Sequence, residues 1–138
     1  MKGFDFKLEI ENVKDDEKFN NDKMIKEIQN LIDTTPFPIN EIGFYEDNGN
    51  FAIDGQVVRY TKKEAQAEYT IFKEKLLRIL KNYYKNIKVF FKDGFRNTYE
   101  CQNYFDDESE LEIKVNDKQT IFINKRETTV ISIIKVGE

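Results

Sequence analysis

A basic stretch between residues 73 and 96 holds the side chains best suited to bind a charged partner. Its eight cations face only Glu74 and Asp93, which gives a local net charge of +6 in a chain of formal net charge −4. Cationic side chains attract phosphate groups and acidic protein surfaces, so the sequence predicts a molecule with two oppositely charged sides. The cations are Lys73, Lys75, Arg78, Lys81, Lys85, Lys88, Lys92 and Arg96.

Four of these cations have the spacing of one helix face. Arg78, Lys81, Lys85 and Lys88 stand at i, i+3, i+7 and i+10, opposite the apolar stripe of the same predicted helix. They predict a basic ridge, with Tyr84 at its flank available to stack on a base or fill a partner's pocket. The alternative is a solvated helix end whose cations complement the negative end of the helix dipole. Charged helix faces are common, so the second interpretation is the favoured one.

Residues that usually catalyse reactions or bind zinc are scarce. The chain has no histidine and a single cysteine, Cys101, which excludes an imidazole base, a zinc cluster and an internal disulfide. Tyr99 and Cys101 share a predicted strand face, but the thiol has no imidazole activator and is interpreted as a small core residue. Phosphate-binding glycine loops and nucleophile elbows are also missing. The sequence predicts no catalytic residue, no metal and no cofactor, and it favours binding over catalysis.

An acidic run follows the aromatic pair Tyr104-Phe105. Its carboxylates could bind a hard cation or mimic the phosphates of a nucleic acid, but the run lacks the glycine and terminal glutamate of an EF-hand loop. The favoured interpretation is a solvated loop whose charge can select a basic partner. The run comprises Asp106, Asp107, Glu108, Ser109, Glu110 and Glu112.

The first third of the chain predicts a strand, a helix and a hairpin. Apolar residues alternate with charged ones from Phe4 to Glu11, which predicts an edge strand with one face in water. Helical spacing behind an Asn21 or Asp22 cap predicts a helix that stops near Asp33, before a proline-containing linker. Asn48-Gly49 predicts a tight hairpin turn, and Asp54-Gly55 a second turn or a bulge.

The middle of the chain predicts a long helix. Thr61 and Glu64 have capping-box spacing, and the apolar stripe that follows continues to Ile87, which corresponds to about seven turns. We expect this helix to be the spine of the fold.

The remainder of the chain predicts sequential antiparallel strands. Residues 121–123 and 130–134 are apolar on both strand faces, so the strands that contain them are expected to be central in a sheet. The predicted strands are residues 88–92, 95–105, 111–115, 120–124 and 129–136.

Four aromatic doublets carry a separate signal. Neighbouring residues in a strand point to opposite faces, so one member of each doublet should miss the main core. The displaced rings are either interface anchors and pocket walls or parts of a second small core, and the sequence does not separate these interpretations. The doublets are Phe44-Tyr45, Tyr83-Tyr84, Phe90-Phe91 and Tyr104-Phe105.

Together these patterns predict a single α+β domain over residues 1–138. Two helices are expected to pack on one face of a curved, mostly antiparallel sheet. We expect no signal peptide and no membrane-spanning segment, because the first residues alternate and no apolar run is long enough. With its single cysteine, the chain is expected to be cytoplasmic.

The leading functional hypothesis is a non-enzymatic binding protein that docks on a macromolecule, with a protein preferred, as an inhibitor or immunity-type neutraliser. The first alternative is a nucleic-acid-binding module that uses the basic ridge. The second is a small-ligand pocket or enzyme between the long helix and the sheet, with Arg96 or Arg126 as an anion clamp. The partner-binding candidates are Arg78, Lys81, Tyr84, Lys85, Lys88 and Arg96.

Overall fold

The computed structural model describes residues 2–13, 21–35, 42–47, 49–93, 97–106, 109–125 and 130–137. In these residues two helices interrupt runs of mostly antiparallel strands, which confirms the predicted α+β class. Their order is β1 (Lys2–Glu11), α1 (Asn21–Thr34), β2 (Gly43–Asp47), β3 (Asn50–Arg59), α2 (Lys62–Lys81), β4 (Asn86–Asp93), β5 (Asn97–Cys101), β6 (Asn103–Asp106), β7 (Glu110–Asn116), β8 (Gln119–Asn124) and β9 (Val130–Gly137).

The strands form a six-stranded sheet in the order β2-β3-β1-β9-β4-β5 and a three-stranded sheet in the order β6-β7-β8. Strands β1 and β9 pair in parallel, and the other neighbouring strands pair antiparallel. The prediction of a mostly antiparallel sheet is therefore confirmed. The strands are not simply sequential, because β9 returns from the end of the chain and lies between β1 and β4.

The predicted edge position of β1 is wrong. This strand lies inside the six-stranded sheet, between β3 and β9. Its alternation is nevertheless real, because Phe6, Leu8 and Ile10 are buried while Lys7 and Glu9 remain half-exposed on the opposite face. Alternation reports which face of a strand meets water and carries no information about which neighbours pair with its backbone.

Both helices pack on one face of the six-stranded sheet, which we call its inner face. Phe6 of β1 packs against Tyr69 and Phe72 of α2, with ring centroids 4.9 and 6.1 Å apart. Helix α1 completes this main core with the side chains of Met24, Ile28, Leu31 and Ile32. The predicted start of α2 is confirmed, since the Glu64 backbone N–H donates to the Thr61 hydroxyl oxygen at 3.1 Å.

Helix α2 ends earlier than predicted. It stops at Lys81, and Asn86 already begins β4. From Asn86 to Asp93 each residue of β4 pairs with a residue of β9, and this stretch is rich in β-branched and aromatic side chains. Strand pairing therefore prevails over the helical spacing. Ile87 still packs against the main core, but from the strand.

Two turn predictions had different outcomes. The hairpin is confirmed, because β2 and β3 pair antiparallel and Gly49 adopts a positive φ of 81°; Asn48 lies outside the described residues. Asp54-Gly55 forms neither a turn nor a bulge, since β3 runs through it in continuous register with β1. Gly55 faces Phe6, and a Cβ at this position would lie 3.3 Å from the Phe6 ring, so the glycine makes room for the aromatic side chain.

The predicted strand over residues 95–105 is two strands. The chain leaves the six-stranded sheet at Gln102, whose N–H donates to the Lys114 carbonyl at 2.9 Å, and continues as β6 of the three-stranded sheet. Gly94 to Arg96 lie outside the described residues. The break between the strands allows the second sheet to fold over the first.

The three-stranded sheet encloses a second core against β4 and β5. This core is built on Phe91, Leu111, Ile113 and Ile123, with the ring of Tyr104 edge-on to Phe91 at 5.0 Å. The second-core interpretation of the aromatic doublets is therefore confirmed for Phe91. Tyr83-Tyr84 is the exception, because both side chains pack on the main core.

Of the two strands predicted to be central in a sheet, one is central and the other is not. Strand β9 is central in its sheet, whereas β8 borders the three-stranded sheet. Ile121 and Ile123 of β8 pack toward the second core, but the side chain of Phe122 points away and remains 60% exposed. A strand that carries apolar residues on both faces can therefore still expose one of those faces to solvent.

Candidate functional site

The predicted basic ridge does not form one surface. Arg78 and Lys81 are exposed in the last turns of α2, Lys85 is exposed in the turn that follows, and Lys88 belongs to β4. The two sequence neighbours of Lys88 pack into the cores on the inner face, so Lys88 points to the opposite, outer face of the six-stranded sheet. The helix cations and Lys88 therefore lie on opposite sides of that sheet.

Carboxylates offset the cations on the outer face of the six-stranded sheet. Lys88 Nζ lies 3.5 Å from Glu100 Oε1, and both side chains are largely exposed. Lys135, directly across from Lys88 on β9, lies 3.9 Å from Glu11 and 4.8 Å from the ring centroid of Phe90. Exposed pairs of this kind contribute little to stability, but they lower the positive charge that the ridge was expected to present.

The expected exposure of Tyr84 is wrong. Its side chain is buried in the main core, because the chain turns after Lys81 and brings the ring under the end of α2. Its neighbour Tyr83 donates to Glu27 Oε2 at 2.5 Å and so ties this turn to α1. Arg96, the sixth predicted partner-binding residue, lies outside the described residues, as does Arg126.

Asp106 was expected in a solvated loop, and this expectation is also wrong. Its side chain is only 6% exposed and bonds to two lysines from different parts of the chain. Lys73 Nζ of α2 lies 2.9 Å from Asp106 Oδ2, and Lys125 Nζ, just after β8, bonds to Asp106 Oδ1 and to Gln66 Oε1. We call Gln66, Lys73, Asp106 and Lys125 the buried ion cluster.

Aromatic rings surround the lysine at the centre of this cluster. Lys73 Nζ lies 4.8 Å from the ring centroid of Tyr69, 5.1 Å from that of Tyr104 and 5.6 Å from that of Phe91. An ammonium removed from water is stabilised by the negative faces of such rings and by a bonded carboxylate. The arrangement explains how a lysine can be buried between the two cores.

The Asp106 carboxyl is held in its ionised form. Burial by itself would raise its pKa, but the two ammonium groups outweigh burial and hold the pKa below its ordinary value. The three charged groups find partners within the protein. Asp106 ends β6 and Lys125 directly follows β8, so the cluster joins α2 to the two outer strands of the three-stranded sheet at one end of that sheet. Its chemistry is that of a clamp that positions the sheet.

Cys101 behaves as the core residue that was predicted. It packs partly buried against the second core, and its thiol donates to the Val89 carbonyl at 3.1 Å. Burial raises the pKa of the thiol to about 11. The group is therefore protonated at neutral pH and is a poor nucleophile.

We expect Cys101 to react with a thiol-specific disulfide reagent at pH 8 about a hundredfold more slowly in the folded protein than in urea, because the thiolate fraction falls by that factor. The measurement is the rate of thiol labelling followed by absorbance. A folded-state rate within a few-fold of the unfolded rate would contradict the assigned environment.

The outer face of the three-stranded sheet carries an exposed aromatic row. In the strand register Phe105 pairs with Glu112 and Glu112 pairs with Phe122, so the three side chains stand side by side across β6, β7 and β8. Phe105 is 65% exposed and Phe122 is 60% exposed. The residues that alternate with them face the second core, which forces the row outward. We call Phe105, Glu112 and Phe122 the exposed aromatic row.

The charge of this face comes from a few groups beside the row. Glu112 and Glu110 have no ion-pair partner among the residues that the structure describes. Lys114 follows Glu112 on the same face and is exposed. Within the described residues, the row thus holds a carboxylate without an ion-pair partner between two exposed rings.

Other kinds of site receive no support from the described part of the chain. Among its His, Cys, Asp and Glu side chains no group of three or more could hold a metal ion. In the same residues, no helix has both the length and the apolar character needed to cross a membrane. Comparisons with protein-family models, with curated proteins and with solved structures find no match.

Sequence reasoning found part of the exposed row and missed the rest. Tyr104 packs on the second core, and Phe105, the other member of its doublet, misses both cores and is exposed, which is the displaced ring that the doublet pattern predicted. Phe122 was missed because its two isoleucine neighbours made the strand read as covered on both faces. The buried ion cluster was missed because Lys73 and Asp106 stand 33 residues apart in a chain rich in charge. A lysine inside the apolar stripe of α2, between Tyr69 and Leu76, was the available signal.

Proposed function

We propose that this protein is a non-enzymatic binding protein of the inhibitor or immunity type, which docks on a partner protein through the outer face of the three-stranded sheet. The observation that carries the proposal is the exposed aromatic row, in which two phenylalanines on the outer strands β6 and β8, on either side of Glu112, are each at least 60% exposed. Large aromatic side chains are the commonest anchors of protein interfaces. Exposure of two aromatic rings on one face of a small sheet lowers solubility, and a partner that covers them would account for it.

Support for the row comes from the packing beneath it. The inner face of the three-stranded sheet is filled by Leu111, Ile113 and Ile123, and one end of the sheet is held to α2 by the buried ion cluster. An anchor on a pre-organised sheet loses little conformational entropy when it is buried by a partner. The row is therefore presented on a rigid support, which favours docking.

The nucleic-acid alternative keeps only part of its motivation, because Arg78, Lys81 and Lys85 are exposed but other members of the basic stretch are not available beside them. Lys73 is buried, Lys88 is paired with Glu100 on the far side of the sheet, and Tyr84 is not available to stack. The exposed rings lie instead beside Glu110 and Glu112, whose charges repel phosphate groups. The geometry thus favours a protein over a nucleic acid.

The proposal is tested by capture of the partner from nuclease-treated lysate of the source cell with matched variants. We expect the double variant Phe105→Ser/Phe122→Ser to lose a stoichiometric protein that the wild type retains, because each buried aromatic anchor contributes about 2 kcal/mol or more to binding. The readout is the amount of partner in the eluate.

Two further variants control for this experiment. Tyr60→Ser/Ile71→Ser removes two other exposed apolar side chains outside this sheet, and Arg78→Glu/Lys81→Glu/Lys85→Glu reverses the charge of the helix end. Both are expected to retain the partner. The proposal fails if Phe105→Ser/Phe122→Ser retains the partner as well as the wild type does. It also fails if the charge-reversed variant is the only one that loses the partner.

A further inference from the structure

The exposed aromatic row is more than an apolar patch, because a carboxylate stands at its centre. We infer that Phe105, Glu112 and Phe122 together bind an arginine side chain of the partner protein. The inference rests on the proposed function and specifies the chemistry of the partner: its contact segment carries an exposed arginine rather than an apolar or acidic anchor.

The spacing of the row suits a planar cation. Neighbouring strands lie about 4.8 Å apart, so the strands that carry Phe105 and Phe122 are about 9.5 Å apart, with Glu112 between them. A guanidinium placed over Glu112 can make two parallel hydrogen bonds to its carboxylate and contact a ring on either side. The pleat turns all three side chains to the same face, so none has to cross the backbone.

Glu110 and Glu112 outnumber Lys114 on the face of the row, which leaves that face net negative among the described residues. Among the described residues Glu112 has no ion-pair partner, and Glu110 on the same face has none either. A carboxylate beside exposed rings attracts a cation and repels the phosphates of a nucleic acid and the carboxylates of an acidic protein. Charge complementarity therefore selects a basic partner segment.

This protein already contains one cation that is bound by a carboxylate and aromatic rings. Lys73 bonds to Asp106 at 2.9 Å while its ammonium lies within 5.6 Å of three ring centroids. The buried ion cluster thus shows a cation held between a carboxylate and aromatic rings, of which Asp106 and Tyr104 belong to this sheet. On the outer face the rings and the carboxylate are present, and the partner supplies the cation.

Arginine fits the row better than lysine. Its planar, weakly hydrated guanidinium stacks on rings and forms a fork that matches a carboxylate, whereas an ammonium is a strongly hydrated point charge. Lys114 lies next to Glu112 on the same face and opposes any incoming cation. Removal of its charge should therefore strengthen binding.

The test uses isotope-labelled protein and three acetylated, amidated tripeptides, Gly-Arg-Gly, Gly-Lys-Gly and Gly-citrulline-Gly, followed by two-dimensional NMR. We expect the arginine peptide to shift the amide signals of Phe105, Glu112 and Phe122 with a roughly millimolar dissociation constant. The lysine peptide should bind several-fold more weakly, and the citrulline peptide, which is neutral and nearly isosteric, at least about tenfold more weakly.

Matched variants locate the interaction. Glu112→Gln should weaken binding of the arginine peptide about tenfold, and Phe105→Ser/Phe122→Ser should reduce it by a similar factor, while Lys114→Gln should strengthen it about twofold. The amide spectrum of each variant reports directly whether it is folded.

The inference is overturned if the citrulline peptide shifts the same amide signals as strongly as the arginine peptide, or if Glu112→Gln does not change the binding. It is also overturned if the arginine peptide, at a concentration about tenfold above the expected dissociation constant, does not shift the amide signals of the row. Such a result combined with loss of the partner by Phe105→Ser/Phe122→Ser would leave the docking function standing and reject only its arginine chemistry. Retention of the partner by that variant would instead reject the docking face itself.

Discussion

Replacement of Asp106 by asparagine is expected to lower the free energy of unfolding by about 3–5 kcal/mol, since it leaves two lysines without their carboxylate in a place shielded from water. Asparagine keeps the shape of the side chain, so the loss reports charge rather than volume. The measurement is urea unfolding at neutral pH. Glu112→Gln makes the same change of chemistry on the exposed face of the same sheet and should shift stability by less than about 0.5 kcal/mol.

The pH dependence of this effect follows from the direction of the pKa shift. The pKa of Asp106 lies lower in the folded state than its ordinary value of 3.8. The stabilisation is therefore complete above the unfolded pKa and is lost as pH falls through the folded pKa. The difference in unfolding free energy between wild type and Asp106→Asn should be constant near neutral pH and should shrink below about pH 3.8.

A second comparison shows whether the charges are needed at all. Lys73→Met/Asp106→Leu replaces the pair by apolar groups of similar size, and such replacements are often neutral or stabilising. This double variant should be clearly more stable than Asp106→Asn, because only Lys125 then lacks its carboxylate, and Lys125 keeps its hydrogen bond to Gln66 Oε1. If Asp106→Asn and Glu112→Gln had the same small effect, the cluster would not be the clamp described above.

Replacement of Phe91 by alanine is expected to cost about 3–5 kcal/mol of stability, the range for a large aromatic side chain removed from a core. Phe91 is 1% exposed, packs edge-on against Tyr104 and lies beneath Lys73. Its loss opens the second core and weakens one wall of the aromatic surroundings of the buried ion cluster. Thermal or urea unfolding measures the total effect.

Phe105→Ala is the matched control, because it removes the same type of side chain from the outer face of the three-stranded sheet, where the ring is exposed and faces away from the second core. We expect it to change stability by less than about 0.5 kcal/mol. Native-state hydrogen exchange then locates the damage: Phe91→Ala should speed exchange in β6, β7 and β8 more than in α1, which belongs to the main core. Equal acceleration in α1 would show that the two cores unfold as one unit.

The two stability predictions also bear on function. If the buried ion cluster and the second core hold the three-stranded sheet in place, their variants should weaken partner binding although neither residue is exposed. The serine variants of the exposed aromatic row should weaken binding without loss of stability. The two classes of variant separate support of the interface from contact with the partner.

Local patterns in the sequence were sufficient for several elements. The spacing of Met24, Ile28 and Leu31 predicted α1, the Thr61–Glu64 capping box predicted the start of α2, and Gly49 marked the hairpin between β2 and β3. Each of these depends on residues within a few positions of one another. Helical period, cap chemistry and turn geometry are properties of short segments, so the sequence determined them by itself.

The tertiary structure decided the rest. It ended α2 at Lys81 because β9 offered β4 a partner along its whole length, and it buried Tyr84 where a longer helix would have exposed it. It paired Lys73 with Asp106 across 33 residues and left Phe122 on the outside of β8. The free energy of burying a charged or aromatic side chain depends on the residues that pack against it, and these come from distant parts of the chain. A local sequence pattern does not contain that information.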